Sequence, residues 1–135
     1  MKHALTAWLE SLRKIQPSGD VDQDFAALMK AYHEGALSIA QVQLSRGKSS
    51  DVKAIANAVL VVRQREIAYL NRWLASEAHV PRLGEIPSAD ENPSSAMAKR
   101  IARLESAPLS GDTDSDFATI LKALNQEAVD MVKIE

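Results

Sequence analysis

Residues 18–41 read SGDVDQDFAALMKAYHEGALSIAQ, and residues 110–133 read SGDTDSDFATILKALNQEAVDMVK. The two stretches lie 92 positions apart and agree at 10 of 24 positions. Each opens on Ser-Gly-Asp, carries acids at alternate positions, and runs into apolar residues at helical spacing. A capping acid, further acids where the helix dipole favours them, and an apolar stripe together mark a turn feeding a helix. The similarity extends upstream at the same offset: Ala4 meets Ala96, Leu9 meets Ile101 and Leu12 meets Leu104. The repeated unit is therefore a helix, a tight turn and a second helix. Two such hairpins can share one core, so an all-α bundle built from a duplicated helix-turn-helix unit is expected.

Working outward, the spacing predicts five helices. The first covers 3–15, with Leu5, Trp8, Leu9, Leu12 and Ile15 on one face, and Pro17, Ser18 and Gly19 end it. The second starts at Asp20, with Gln23 completing a capping box. Its stripe is Phe25, Leu28, Met29, Tyr32, Ala36, Ile39, Ala40 and Leu44, and Gly47 is placed as the C′ residue. The third, capped at Ser49 or Ser50, runs to 76 and is the longest. Its inward set is Val52, Ile55, Ala56, Val59, Val62, Ile67, Leu70, Trp73 and Leu74. Residues 79–93 hold Pro81, Pro87 and Pro93 and read as a linker or crossover. Asn92-Pro93 then opens a fourth helix over 93–106, and a fifth covers 113–134. The repeat units are about 1–46 and 93–135, with the long helix between them in a single domain. Only the first copy continues into a third helix. The apolar surface this asymmetry leaves is expected to be covered by a second subunit, giving a homodimer.

Composition narrows the function classes. A chain of 135 residues forms one compact domain by default and buries roughly 68–70% of its unfolded surface. The net charge of −2 argues against a nucleic-acid partner, which calls for a basic face. There is no cysteine, which removes disulfides, thiolate catalysis and cysteine-based zinc sites. No strictly apolar run is longer than Ala58 to Val62, far short of a membrane span. Residues 1–12 carry no signal-peptide apolar region, because Glu10 and polar residues interrupt them.

The chemistry-bearing motifs are mostly incomplete. Asp20, Asp22 and Asp24 have the alternation of a calcium loop, repeated at Asp112, Asp114 and Asp116. That loop needs Gly at its sixth and Glu at its twelfth position, which here are Phe25 and Ala31, and Phe117 and Ala123. Gly47-Lys48-Ser49 resembles the end of a phosphate loop, but its leading glycine would be Val42. His33-Glu34 lacks the second histidine of a metalloprotease helix, position 37 being Leu37. A Glu-x-x-His di-iron pair is absent, since Lys30 and Ser76 precede His33 and His79 by three. No acid–base pair or nucleophile with an orienting partner can be read, so the chain is not expected to be an enzyme. His33 has two readings. It is a metal ligand with Met29 or Glu34, or a buried histidine whose polar partners are Arg63 and Glu66.

The run D-x-D-F-A-A-L-M-K-A-Y-H-E-G-A-L-S-I-A, followed by E-I-A-Y-L-N-R-W-L, resembles the domain of unknown function 305 family. Asp22, Phe25, Met29, His33, Gly35, Ala36, Glu66, Ile67, Trp73 and Leu74 carry the resemblance. It implies a ferritin-like helical bundle from a bacterial, exported group, some members of which handle copper. Tyr32 stands where the family has a first histidine, Ile39 and Leu70 replace methionines, and Arg63 replaces a glutamine. In the second copy the histidine positions are Leu124 and Asn125, while Met131 keeps the methionine. These changes thin the soft ligand set that copper(I) would use. The expectation is a non-catalytic binding or scaffold bundle, with copper-type metal binding through His33, Met29 and Glu34 as the alternative.

Overall fold

The computed structural model describes residues 1–76 and 93–132, apart from the side chains of 93–97 and 127–132. The expected crossover at 79–93, His79, the Asn92 cap and the Met131 side chain fall outside the described residues. The chain is an all-α bundle: α1 (Lys2–Arg13), α2 (Val21–Arg46), α3 (Ser50–Ala75), α4 (Pro93–Glu105) and α5 (Thr113–Val132). All five lie where the periodicity puts them, to within a few residues. No described helix is long and apolar enough to cross a membrane.

The repeated turn is built the same way twice. Gly19 has φ 94° and Gly111 φ 91°, a region that excludes most side chains and explains glycine there. The third acid of each run folds back over the turn. Asp24 accepts from the Ser18 backbone N–H at 2.6 Å and hydroxyl at 2.7 Å, and Asp116 accepts from the same groups of Ser110 at 2.7 and 3.0 Å. These bonds hold the Asp24 carboxyl below the ordinary carboxylate range, the Ser18 hydroxyl contributing most. Asp20 caps α2 through Asp22 and Gln23 backbone N–H groups, both at 3.0 Å. The expected capping box is only half formed: the Asp20 N–H goes to the Ser18 hydroxyl and not to Gln23. The first and third acids of each run thus serve the turn and the helix start.

The central element is α2, which touches each of the other four helices. Leu5, Trp8, Leu9 and Leu12 of α1 pack on Tyr32, Ala36, Ile39 and Ala40 of α2, joined by Leu104 of α4 and by Phe117 and Ile120 of α5. Gly35 makes the α1–α2 approach close enough for the Trp8 indole to lie on the α2 backbone, and a Cβ at 35 would overlap that ring. Gly47 ends α2 with φ −64° and ψ 154°, not in the left-handed conformation expected of a C′ glycine. It is small because the buried Gln43 side chain and carbonyl occupy the space beside it.

Packing of α3 departs furthest from expectation. It lies against α2 and, among the described residues, against no other helix to a comparable extent. Only Ala56 is fully buried, and Ile55 and Val62, read as inward, are exposed. A helix with one neighbour buries one stripe, and that stripe is filled by Val52, Ala56 and Val59 with the half-buried residues below them. At 26 residues α3 equals α2 in length and does not exceed it. Phe25, also read as core, is 52% exposed, whereas its repeat counterpart Phe117 is 2% exposed. Phe117 sits inside the shared core; Phe25 borders the α2/α3 groove, whose outer side no other described helix covers.

One acid ties the repeats together. Asp114, at the start of α5, accepts from the Lys48 and Ser49 backbone N–H groups at 3.0 and 3.1 Å and from the Gln43 side-chain amide. The second copy thereby clasps the α2–α3 turn of the first. The donors, Gln43 foremost, hold Asp114 below the ordinary carboxylate range.

Candidate binding groove

The helical register of α2 brings Phe25, Met29 and His33 to one flank, four residues apart, and α3 supplies Arg65, Glu66, Tyr69 and Leu70 opposite them. Together they line an apolar groove of about 360 Å³. At its floor is His33, 7% exposed. Its Nδ1 is 3.5 Å from Glu66 Oε2 yet makes no hydrogen bond among the described residues. Glu66 is instead engaged by Arg63, whose Nη1 donates to Oε2 at 2.5 Å. That i,i+3 pair engages Oε2 and leaves the imidazole Nδ1 unmet. A buried polar nitrogen without a partner carries a desolvation cost, and such exceptions mark sites of interest.

The electrostatics disfavour the charged form of His33. Burial lowers its pKa from the ordinary histidine value; Glu66 pulls the other way, and Arg63 and Arg100 reinforce the lowering. Arg100, from α4, lies 5.5 Å from the Tyr32 ring centroid in cation–π geometry. Its Nη1 also approaches Met29 Sδ at 3.9 Å. Met29 thus borders the groove while its sulfur accepts from Arg100.

The expected site residues separate. Met29 and His33 line the same groove, with Glu66 beside the imidazole. Glu34 lies on a neighbouring, exposed face, paired with Lys30 at 3.8 Å, so helical geometry turns it away from His33. Among the described residues no three His, Asp or Glu side chains converge as a metal cage. Sequence reasoning missed Arg100, Arg65 and Tyr69. The groove's open side follows from the one-sided packing of α3, which no spacing signals. A cleft of about 490 Å³ lies between α1 and the α4–α5 connection, lined by residues including Lys2, Glu10, Arg13 and Glu105. It is larger, but Arg13 and Glu105 pair across it and none of its lining residues carries a buried polar atom without a partner, so the smaller groove is the stronger candidate.

No curated protein and no solved structure matches the chain. A sequence-family model does, over residues 1–74 and again over 22–135. The two matches share 22–74, which contains the α2–α3 hairpin and the groove. Every residue falls within one match or the other, and the chain belongs to the family described as domain of unknown function (DUF305).

Proposed function

We propose that this protein is a non-catalytic binding module whose α2/α3 groove takes an apolar group and anchors its polar end on His33. The observation that carries this reading is the unmet Nδ1 of a buried, neutral imidazole on the floor of an apolar groove. A ligand hydrogen bond there would relieve a cost the free protein bears, and the surrounding Phe25, Leu70 and Tyr69 offer the apolar contact that ligand sites use. Titration with the apolar anion 1-anilinonaphthalene-8-sulfonate tests it by fluorescence. We expect saturable one-site binding, weakened about tenfold by His33→Ala, the worth of one buried hydrogen bond. Equal binding by the wild type, His33→Ala and Phe25→Ser would sink the idea.

A second reading has its own support. Met29 and His33, one helical turn apart, present a thioether and a neutral imidazole to the same space, ligand types that suit copper(I). Glu66 replaces Glu34 as the nearest carboxylate, and Arg100 against the Met29 sulfur works against a bound cation. A competitive copper(I) titration of wild type and His33→Ala separates the readings: stoichiometric binding lost in the variant favours the metal, and no binding removes it.

A further inference from the structure

The face of α3 turned away from α2 has an order of its own. Positions spaced alternately four and three residues apart from Asp51 to Arg72 are all exposed. Its three large apolar members are Ile55, 49% exposed, Val62, 48%, and Tyr69, 62%. They recur every seven residues, the repeat that keeps one stripe facing a partner helix along a shared axis. A monomer gains nothing from exposing this row, and no described helix covers it.

We propose that the row is an isologous interface: α3 of one copy packs antiparallel on α3 of a second, across a two-fold axis near Val62. The charges select both the partner and the direction. Asp51 stands at the N-terminal end of the row, and Arg65 and Arg72 lie toward its C-terminal end. Antiparallel self-pairing sets each Asp51 beside Arg72 of the other copy. Parallel pairing stacks Arg65 on Arg65, Arg72 on Arg72 and Asp51 on Asp51, and like charges facing each other are repulsive. The antiparallel arrangement also opposes the helix dipoles favourably, the acidic N-terminal end meeting the basic C-terminal end.

This interface bears on the groove. Arg65 and Tyr69 belong both to the row and to the groove wall. A second α3 seated on the row extends that wall and covers the groove's open side, so the site around His33 is complete only in the dimer. The interface rests on α3 alone and stands whether or not the groove takes the ligand class proposed above.

The absence of cysteine makes the test clean, because each introduced thiol is unique. Asp51→Cys and Arg72→Cys proteins are prepared separately, mixed, and treated with a short bis-maleimide cross-linker. We expect covalent dimer in the mixture and none from Asp51→Cys alone, whose thiols lie about 25 Å or more apart along antiparallel helices at 1.5 Å per residue. Light scattering should give twice the 14.7 kDa chain mass for the wild type at tens of micromolar and the single mass for Val62→Arg. Val62 is exposed, so the circular dichroism and melting of that variant should stay those of a folded helical chain. Self-cross-linking of Asp51→Cys would overturn the antiparallel arrangement. A wild-type monomer across that range would overturn self-association and leave the face to a different protein. A dimer that survives Val62→Arg would place the interface elsewhere.

Discussion

Substituting Gly35 by alanine sets two known effects against each other. In a helix interior the change gains about 1 kcal/mol of backbone propensity. The structure predicts the opposite net sign. The new Cβ would overlap the Trp8 indole, and that ring cannot easily give way. It is 3% exposed and packs against Tyr32 with ring centroids 5.4 Å apart. Overpacking of a filled core costs about 1–3 kcal/mol. Expelling the indole entirely would expose roughly 150–250 Å², worth about 4–6 kcal/mol at 25 cal/mol per Å². The overlap is with the body of a rigid ring, so the cost falls between these limits, and after the propensity gain the net loss is about 2–4 kcal/mol. For a chain of this size that lowers Tm by roughly 6–15 °C. Thermal melts followed by circular dichroism measure it, and Trp8 emission should shift to the red. The decisive comparison is in a Trp8→Leu background. There the smaller side chain leaves room, so Gly35→Ala should cost little or stabilise by up to about 1 kcal/mol. Stabilisation by Gly35→Ala in the wild type, or an equal loss in both backgrounds, would refute the close-approach argument.

Other outcomes follow from the same contacts. Because the folded-state pKa of His33 is depressed, the unfolded chain binds the extra proton first; stability is full above the unfolded value near 6.5 and falls as pH drops below it. Urea melts at pH 7.5 and 5 should show this fall, and His33→Asn should flatten it. Asp114→Ala should speed amide hydrogen exchange at Lys48 and Ser49, with little change at Ser18 and Gly19, where Asp24 still holds the turn. The Asp114 pKa is depressed, so protection of Lys48 and Ser49 should persist above the ordinary carboxylate range and fade as pH falls through and below it. Gly19→Ala meets no atom within 4 Å and isolates backbone strain, about 1–2 kcal/mol, offset in part by the smaller entropy of the unfolded chain; a denaturation midpoint above that of the wild type would contradict the left-handed turn.

The repeat made the architecture readable. Ser-Gly-Asp turns, capping acids and the stripe of α1 placed the helices, because each signal is local and obeys one periodicity. What escaped depends on who lies beside whom. Ile55 and Val62 have the same apolar character as Val59, and only the absence of a second neighbour decides that they face outward. Gly35 looks like a weak point in a helix until Trp8 is set against it. Glu66 and Arg63 interrupted the pattern of α3 and so were visible as partners for His33. That they would satisfy each other, leaving Nδ1 unmet, required coordinates. Glu34 was drawn toward the site by adjacency in sequence, although neighbouring residues on a helix diverge by about 100°.

The two turns offer an internal reference. Asp22 and Asp114 occupy the same place in nearly the same local sequence. Asp22 is exposed, whereas Asp114 reaches across to Gln43, Lys48 and Ser49. Their helix-dipole contributions match, so subtracting the effect of one alanine substitution from the other removes the local part. What remains is the work a single carboxylate does in holding one repeat to its sibling, read without a foreign standard.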